Sequence, residues 1–320
     1  MDTDIQPINT IVTASDTNYL WGVFLLIASM RKNGMNEPVI VLGEGYSEAQ
    51  KQSLKQFNSV EVYDAGNYLR SMNCAKPAAM LLAKTEFASW IDCDGFFSGN
   101  CSDALLDFPP DRIHIRMRGE KETEFAFARE YAPGEPHNGI PRAILDIWKR
   151  DVEHHLAESR LRNSCGSGVF IIHRKHRAFL ELFKDQIDRI LPRIKSGVTD
   201  SGSFAYRYTD EAIMNSLLCF SPEAPLCAEY RMDRHIDRAY LHFSFHPKPW
   251  QGWTPETWKY YDAYLEVVDY CLKQGLQMPN PLPWTLQRRY RLLCHILCVP
   301  IREKARLQRL LKKIKQKFKK

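Results

Sequence analysis

The stretch Ala88-Ser89-Trp90-Ile91-Asp92-Cys93-Asp94-Gly95-Phe96-Phe97 decides how the rest of the chain is read. An apolar run climbs into two carboxylates spaced i, i+2, and Gly95 and Ser98-Gly99 then break the pattern. In an extended strand, residues i and i+2 point to the same side. Asp92 and Asp94 therefore share one target while Cys93 points the other way, into protein. Two carboxylates at the end of a buried strand repel unless a cation or a donor sits between them. A divalent metal holding a phosphate fits that arrangement. The plainer reading is that both acids cap the next turn, since Asp is common at strand ends. A pattern this short does not separate the two.

Upstream, Ile8 to Ser15 reads as a buried β-branched strand ending in Asp16-Thr17-Asn18. A helical pattern follows through Tyr19, Val23, Leu26, Ile27 and Met30, and Asn33-Gly34 stops it. Pro38 to Leu42 reads as a strand. Ser47 to Phe57 reads as a helix, with Ser47 as N-cap and Gln50 at the capping-box position. Val60 to Tyr63 is a third strand, Lys76 to Lys84 a short helix, and Phe87 to Ile91 a fourth strand leading into the Asp pair. The alternation predicts an α/β fold with a mostly parallel central sheet flanked by helices. Ligands of such sheets bind beyond the carboxyl ends of the strands, where Asp16, Asn18, Asp92 and Asp94 all lie.

Downstream, Arg112 to Met117 reads as a strand and Glu120 to Asn138 as a polar surface loop or lid. Ile140 to Leu161 is helical. Cys165-Gly166-Ser167-Gly168 precedes a strand at Val169 to Ile172, and Lys175 to Ile194 is a long amphipathic helix. Gly197 to Ser203 reads as flexible. Asp210 to Cys219 is a helix whose first-turn acids suit the macrodipole. Ala239 to Phe243 is a short strand containing His242, before the Pro- and aromatic-rich run from Phe243 to Trp250.

With 44% hydrophobic residues among 320, the chain buries a sizeable core and is not globally disordered. The polar, acidic start from Met1 to Gln6 carries no signal-peptide pattern. No apolar run reaches the roughly 18 residues of a spanning helix. Nine scattered cysteines contain no C-x-x-C pair, which gives no zinc pattern and predicts reduced, mostly buried thiols in a cytoplasmic setting. Charge is uneven. Arg288 to Lys320 carries thirteen Lys/Arg and one acid, a net of +12, so the body carries −6 of the chain's +6. Leu286 to Val299 reads as a helix that Pro300 breaks. Ile301 to Lys320 reads as an amphipathic basic helix, with Leu307, Leu310, Leu311, Ile314 and Phe318 opposite Arg and Lys. This divides the chain into a domain at 1–284 and a basic tail at 285–320.

Four pieces in order resemble the retaining glycosyltransferases of family 8, over about Ile8 to Trp250. They are Ala14-Ser15-Asp16-Thr17-Asn18-Tyr19, Asp92-Cys93-Asp94, Asp210-Glu211-Ala212-Ile213-Met214-Asn215, and His242 followed six residues later by Lys248-Pro249-Trp250. The resemblance implies a GT-A fold and a nucleotide-sugar donor, a UDP-galactose or UDP-glucose. The acceptor it implies is a glycan or lipid-linked saccharide, as in lipopolysaccharide or cell-surface polysaccharide synthesis. It implies that Asp92, Asp94 and His242 ligate Mn2+ or Mg2+ and that Lys248 binds the diphosphate. Ala14, Asp16, Asn18 and Tyr19 would hold uracil and ribose, with Lys76 near the donor, and Asp210 and Glu211 would face the donor sugar as catalytic residues. Three positions depart from the family pattern: Glu211 for a usual Gln, Gly166-Ser167-Gly168 for a usual Asn, and Phe245 for a common Gly.

Carboxylates with one imidazole suit Mn2+ or Mg2+. His242 must be neutral to ligate, so activity is expected to fall as pH drops through the histidine range. Glu211 is read first as an electrostatic stabiliser of the reacting sugar and second as a nucleophile. Trp250, Trp253 and Trp258 either stack on acceptor sugars or pack under the C-terminal helix. The tail is read as a contact with an anionic membrane, which would put the protein on the inner face of a membrane; nucleic acid is not expected, because no recognition motif accompanies the charge. Two rival functions remain: a non-catalytic binding protein, and a nucleotidyl- or sugar-phosphate transferase on the same fold.

Overall fold

The structure, a computed structural model, describes residues 7–66, 72–195, 204–207, 209–229, 239–244 and 246–317. The segment 197–203 and Phe245 lie outside them. Strand β1 (Asn9–Asp16) is buried from Asn9 to Ser15. A strand apolar on both faces needs cover on both. Helix α1 (Leu20–Lys32) supplies one cover, and β2 (Val39–Glu44) pairs parallel to β1. Helix α2 (Glu48–Lys55) opens with the expected capping box, Ser47 N donating to Gln50 Oε1 at 2.9 Å and Gln50 N to Ser47 Oγ at 3.3 Å. There follow β3 (Val60–Asp64), α3 (Lys76–Met80), β4 (Phe87–Ile91), β5 (Gly95–Phe97) and α4 (Ser102–Leu106). Next come β6 (Arg112–Met117), α5 (Glu120–Ala126), α6 (Arg142–Asp151), β7 (Cys165–His173), α7 (Arg177–Lys195) and α8 (Asp210–Phe220). The chain continues through β8 (Leu226–Glu229), β9 (Tyr240–His242), α9 (Pro255–Trp258), α10 (Tyr261–Lys273) and α11 (Arg291–Lys317).

The central sheet has seven strands in the order β3-β2-β1-β4-β7-β6-β8. Its pairs are parallel except at β7, which runs antiparallel to both β4 and β6. Side chains alternate between two cores, as the period-2 pleat requires. Ile11, Val39 and Val41 join α1 and α10 on one face. Val12, Ala14, Ile40 and Leu42 join α6, α7 and α8 on the other. Each fully buried Leu, Ile or Phe contributes about 1.5–3 kcal/mol.

Three expectations are corrected. The helix expected over Ile140 to Leu161 is α6 alone. It ends at Asp151 because Val152 turns extended, and the chain then bonds the end of α8 through Leu156 N to Phe220 O at 2.8 Å. The expected loop at Glu120 to Asn138 opens with α5, whose start is tied by Gly119 N to Glu122 Oε2 at 3.3 Å. Pro300 does not break the C-terminal helix; α11 runs through it. A helical proline costs about 3 kcal/mol, and packing on both sides offsets this. Before it, Cys294 and Cys298 are buried and His295 lies 5.0 Å from the Trp258 ring. After it, Ile301 packs on Gly252 so closely that a Cβ there would sit 3.2 Å from the side chain.

Of the two readings of the tryptophans, Trp253 takes the second. It is fully buried, and its Nε1 donates to Thr285 O at 2.9 Å, ahead of α11. Trp250 is also buried and donates to Asn18 O at 2.9 Å.

Candidate active site

Strand β4 delivers Asp92 past the last sheet pair, where Asp92 N donates to Gly168 O at 2.8 Å. Asp94 follows, and β5 then pairs antiparallel with β9, setting Gly95 opposite His242 and Phe97 opposite Tyr240. The pairing is continued by Phe243 N donating to Asp94 O at 2.7 Å. Only glycine fits at 95: a Cβ would lie 2.5 Å from the Tyr240 ring. This register brings one ligand atom each of Asp92, Asp94 and His242 within 4.8 Å of one another. His242 Nε2 lies 2.8 Å from Asp94 Oδ1 and 3.9 Å from Asp92 Oδ2, while Cys93 is buried between the acids.

Lys248 reaches the same point from the loop after β9. Its Nζ donates to Asp94 Oδ2 at 2.7 Å and to Phe243 O at 2.5 Å, and the side chain is almost fully buried. Burial alone would raise the Asp94 pKa, but His242 and Lys248 outweigh it and hold the carboxyl well below the usual range. Burial likewise disfavours the His242 imidazolium, yet Asp94 and Asp92 turn the net shift upward. The result is a cation-attracting pair of carboxylates with the buried Lys248 ammonium at its edge.

A second charge cluster adjoins the first. Lys76 Nζ lies 3.2 Å from Asp92 Oδ1 and 2.9 Å from Asp210 Oδ2, and donates to Ser167 O at 2.8 Å and Ser167 Oγ at 2.9 Å. Trp90 Nε1 donates to Asp92 Oδ1 at 2.7 Å. Burial works against the Lys76 charge, but Asp210 and Asp92 raise its pKa overall. Burial raises the Asp210 pKa, with Lys76 opposing. Asp210 opens α8 just after Thr209, which holds φ at +45°, a region that β-branched residues avoid. Glu211 Oε1 lies 2.8 Å from Arg118 Nη2, and Oε2 accepts from Ser167 N at 3.1 Å. Asn215 clamps the start of β7, accepting from Cys165 N at 2.7 Å and donating to Cys165 O at 2.9 Å.

The carboxylates of Asp92, Asp94, Asp210 and Glu211 line one cleft of about 720 Å³ at the carboxyl ends of β1 and β4 with Lys76, Ser167, His242 and Lys248, together with Ala14, Ser15, Asp16 and Tyr19; Arg118 and Asn215 stand behind it. That volume suits a small-molecule ligand. Asp16 also caps the turn into α1, accepting from Asn18 N at 2.9 Å and Tyr19 N at 3.2 Å. Asn18 does not line the cleft; its amide folds onto Asp16 Oδ2 at 3.0 Å. Tyr19 Oη lies 3.3 Å from His246 Nε2, and Lys248 Nζ sits 5.8 Å from the Tyr19 ring centre. Ten of the eleven expected site residues thus meet in one cleft, Asn18 being the exception. Sequence reasoning did not single out Ser167, Arg118, Ser244 or His246. The Gly166-Ser167-Gly168 run, expected ahead of a strand at Val169 but found within β7, was the available signal for Ser167; Arg118 had none.

The donor set fits a divalent cation. Two carboxylates and an imidazole converge, and the space beside them is kept open by Gly168, where a Cβ would lie 3.1 Å from His242 Cε1 and 3.2 Å from Asp92 Oδ2.

No family model matches the chain, and no curated protein matches it by sequence. Solved structures do. The galactosyltransferase LgtC, solved with donor and acceptor sugar analogues, matches at TM-score 0.52 and 16% identity, over 88% of this chain and 99% of that one. The bifunctional glycosyltransferase WbbM, in its apo form, matches at TM-score 0.50 and 12% identity, over 91% of this chain; the chain spans about half of WbbM, 53%. The chain has the GT-A glycosyltransferase fold. In this GT-A domain the cleft lies where doubly wound sheets bind ligands, beyond the carboxyl ends of the parallel strands.

Proposed function

We propose that the chain is a metal-dependent retaining glycosyltransferase of family 8 that transfers a hexose from a UDP-sugar to a saccharide or glycolipid acceptor. The observation that carries this reading is the meeting of Asp92, Asp94 and His242 beside Lys248 in a GT-A cleft. In this reading Asp92, Asp94 and His242 hold Mn2+ or Mg2+. When bound, such an ion neutralises charge on the diphosphate leaving group. Lys248 adds a fixed ammonium beside the same group. Ala14, Asp16 and Tyr19 border the nucleotide end. Lys76, Asp210 and Glu211 border the sugar end, where buried ionic groups in a water-poor site act more strongly than in solvent.

Glu211 serves as an electrostatic stabiliser. Both its oxygens are already hydrogen-bonded, which favours that role over direct attack on the anomeric carbon. Measuring transfer and hydrolysis across a panel of nucleotide sugars with Mn2+ tests the proposal. Turnover of a UDP-hexose that is lost on Asp92→Asn supports it; binding without turnover would leave a non-catalytic nucleotide-sugar protein, and transfer of a sugar phosphate would indicate the rival reaction.

We also propose that the tail at 285–320 rests on an anionic membrane surface. None of the described helices is long and apolar enough to cross one. Leu292, Ile296, Val299, Leu307 and Leu311 are exposed along α11 amid its basic residues. Each basic residue near such a surface contributes about 1 kcal/mol. Co-sedimentation with phosphatidylserine vesicles and with neutral vesicles, using the full chain and a chain lacking 301–320, tests this. Equal pelleting of both chains would refute it.

A further inference from the structure

Arg118 is held by more than its salt bridge. Its backbone N donates to Ser164 O at 2.8 Å and its Nη1 to Ser164 Oγ at 3.1 Å, leaving Nη2 on Glu211 Oε1 at 2.8 Å. The anchoring comes from an irregularity in the sheet. Between β6 and β7 the register jumps, with Ile115 opposite Phe170 but Arg116 opposite Gly166. Ser167, Gly168 and Val169 fall in the jump, outside the β6 ladder. The Ser167 N–H is thereby released to Glu211 Oε2, and the end of β6 is drawn alongside Ser164 and Cys165. Such bulges re-aim side chains beside functional sites.

We infer that Arg118 is a positioning residue that aims the Glu211 carboxylate at the donor-sugar end of the cleft. The inference rests on the glycosyltransferase reading above. A guanidinium matches a carboxylate in fixed geometry and stays charged, so it both orients Glu211 and balances its charge. A glutamine at 211 would carry no charge and need no cation. Arg118 and Glu211 are therefore a matched pair: removing Arg118 alone strands a carboxylate, whereas removing the charge from both strands nothing.

A double-mutant cycle in steady-state kinetics tests this on the full chain, with Mn2+ and the nucleotide sugar that the wild type turns over best. Arg118→Met is expected to lower kcat about tenfold or more while donor KM stays within about threefold. Arg118→Lys restores part of the loss. In a Glu211→Gln background, Arg118→Met is expected to cost less than about threefold, because residues in direct contact couple. An equal loss in both backgrounds, a change confined to KM, or an inert Glu211→Gln overturns the inference while leaving the transferase reading intact. A wild type inert across the whole panel overturns that reading and the inference with it.

Discussion

His242 Nε2 lies 2.8 Å from Asp94 Oδ1 although 148 residues separate them, because three residue pairs between β5 and β9 set the register. His242→Ala is expected to weaken Mn2+ affinity and slow sugar transfer by about 100-fold or more, at the top of the range for perturbed metal sites. Titration calorimetry reads the first and initial rates the second. Mn2+ affinity within a few-fold of wild type would remove His242 from the ligand set.

Gly168 gives a steric version of the same test. A Cβ at this position would crowd both the His242 ring and the Asp92 carboxylate, which are its nearest neighbours. Gly168→Ala is expected to lower Mn2+ affinity about tenfold, while the unfolding free energy moves by no more than about 0.5–1 kcal/mol. Titration calorimetry paired with urea unfolding separates the two. Unchanged affinity would mean that the three side chains relax freely around the added methyl.

Much of this site was legible because its parts sit at strand ends. The buried alternation from Ile11 to Ala14 and the apolar run into Asp92 announce a two-faced sheet, and sheets of that kind bind at their carboxyl edge. Asp92 and Asp94 were legible as a pair because i, i+2 spacing is a local property. The reversed direction of β7 was not, since Val169 to Ile172 has the same pattern whichever way it runs. Neither was the pairing of β5 with β9, because three residues carry no usable period and their partner is a tertiary matter. Arg118 was invisible for the same reason: its role comes from a register jump. Pro300 misled because a local rule about helix breaking was overridden by the packing of Cys298 and Ile301.

Lys76 joins Asp92 and Asp210 while almost fully buried, so its loss leaves the buried Asp210 and the partly exposed Asp92 without their shared cation. Lys76→Met is expected to destabilise the fold by about 3–5 kcal/mol, the cost of breaking a buried ion pair from one side. Pairing it with Asp210→Asn removes one stranded charge and should recover part of that loss. Chemical denaturation of the two variants checks the order. A double variant no more stable than Lys76→Met would mean that Asp92, not Asp210, bears the strain.

His114 gives a pH dependence away from the cleft. Burial of its ring on β6, against Phe108, pushes the imidazole down to about 4, against about 6.5 in an unfolded chain. Between those values the unfolded state binds the extra proton, so stability rises with pH across the window and is lost as pH falls through it. The contribution is at most about 3.5 kcal/mol. Urea unfolding at pH 7 and pH 4.5 measures it. His114→Phe is expected to flatten the difference; an unchanged pH dependence would place the acid sensitivity in other groups.

The tail helix has two parts that truncation should tell apart. Its first turns bury Cys294 and Cys298 and lay His295 against Trp258, whereas Leu307 and Leu311 beyond Pro300 are exposed. Removing residues 303–320, which leaves Ile301 on Gly252, is expected to change the midpoint of thermal unfolding by no more than a few degrees, corresponding to about 1 kcal/mol. Removing 291–320 uncovers Trp258 and Tyr261, on which Arg291 also lies at 5.6 Å from the ring centre. Uncovering a large aromatic pair costs several times more, about 3–5 kcal/mol. Scanning calorimetry of the two truncations decides. If both lose the same stability, Leu307 and Leu311 pack more tightly than their exposure implies, and they are committed to the fold instead of being available to a membrane.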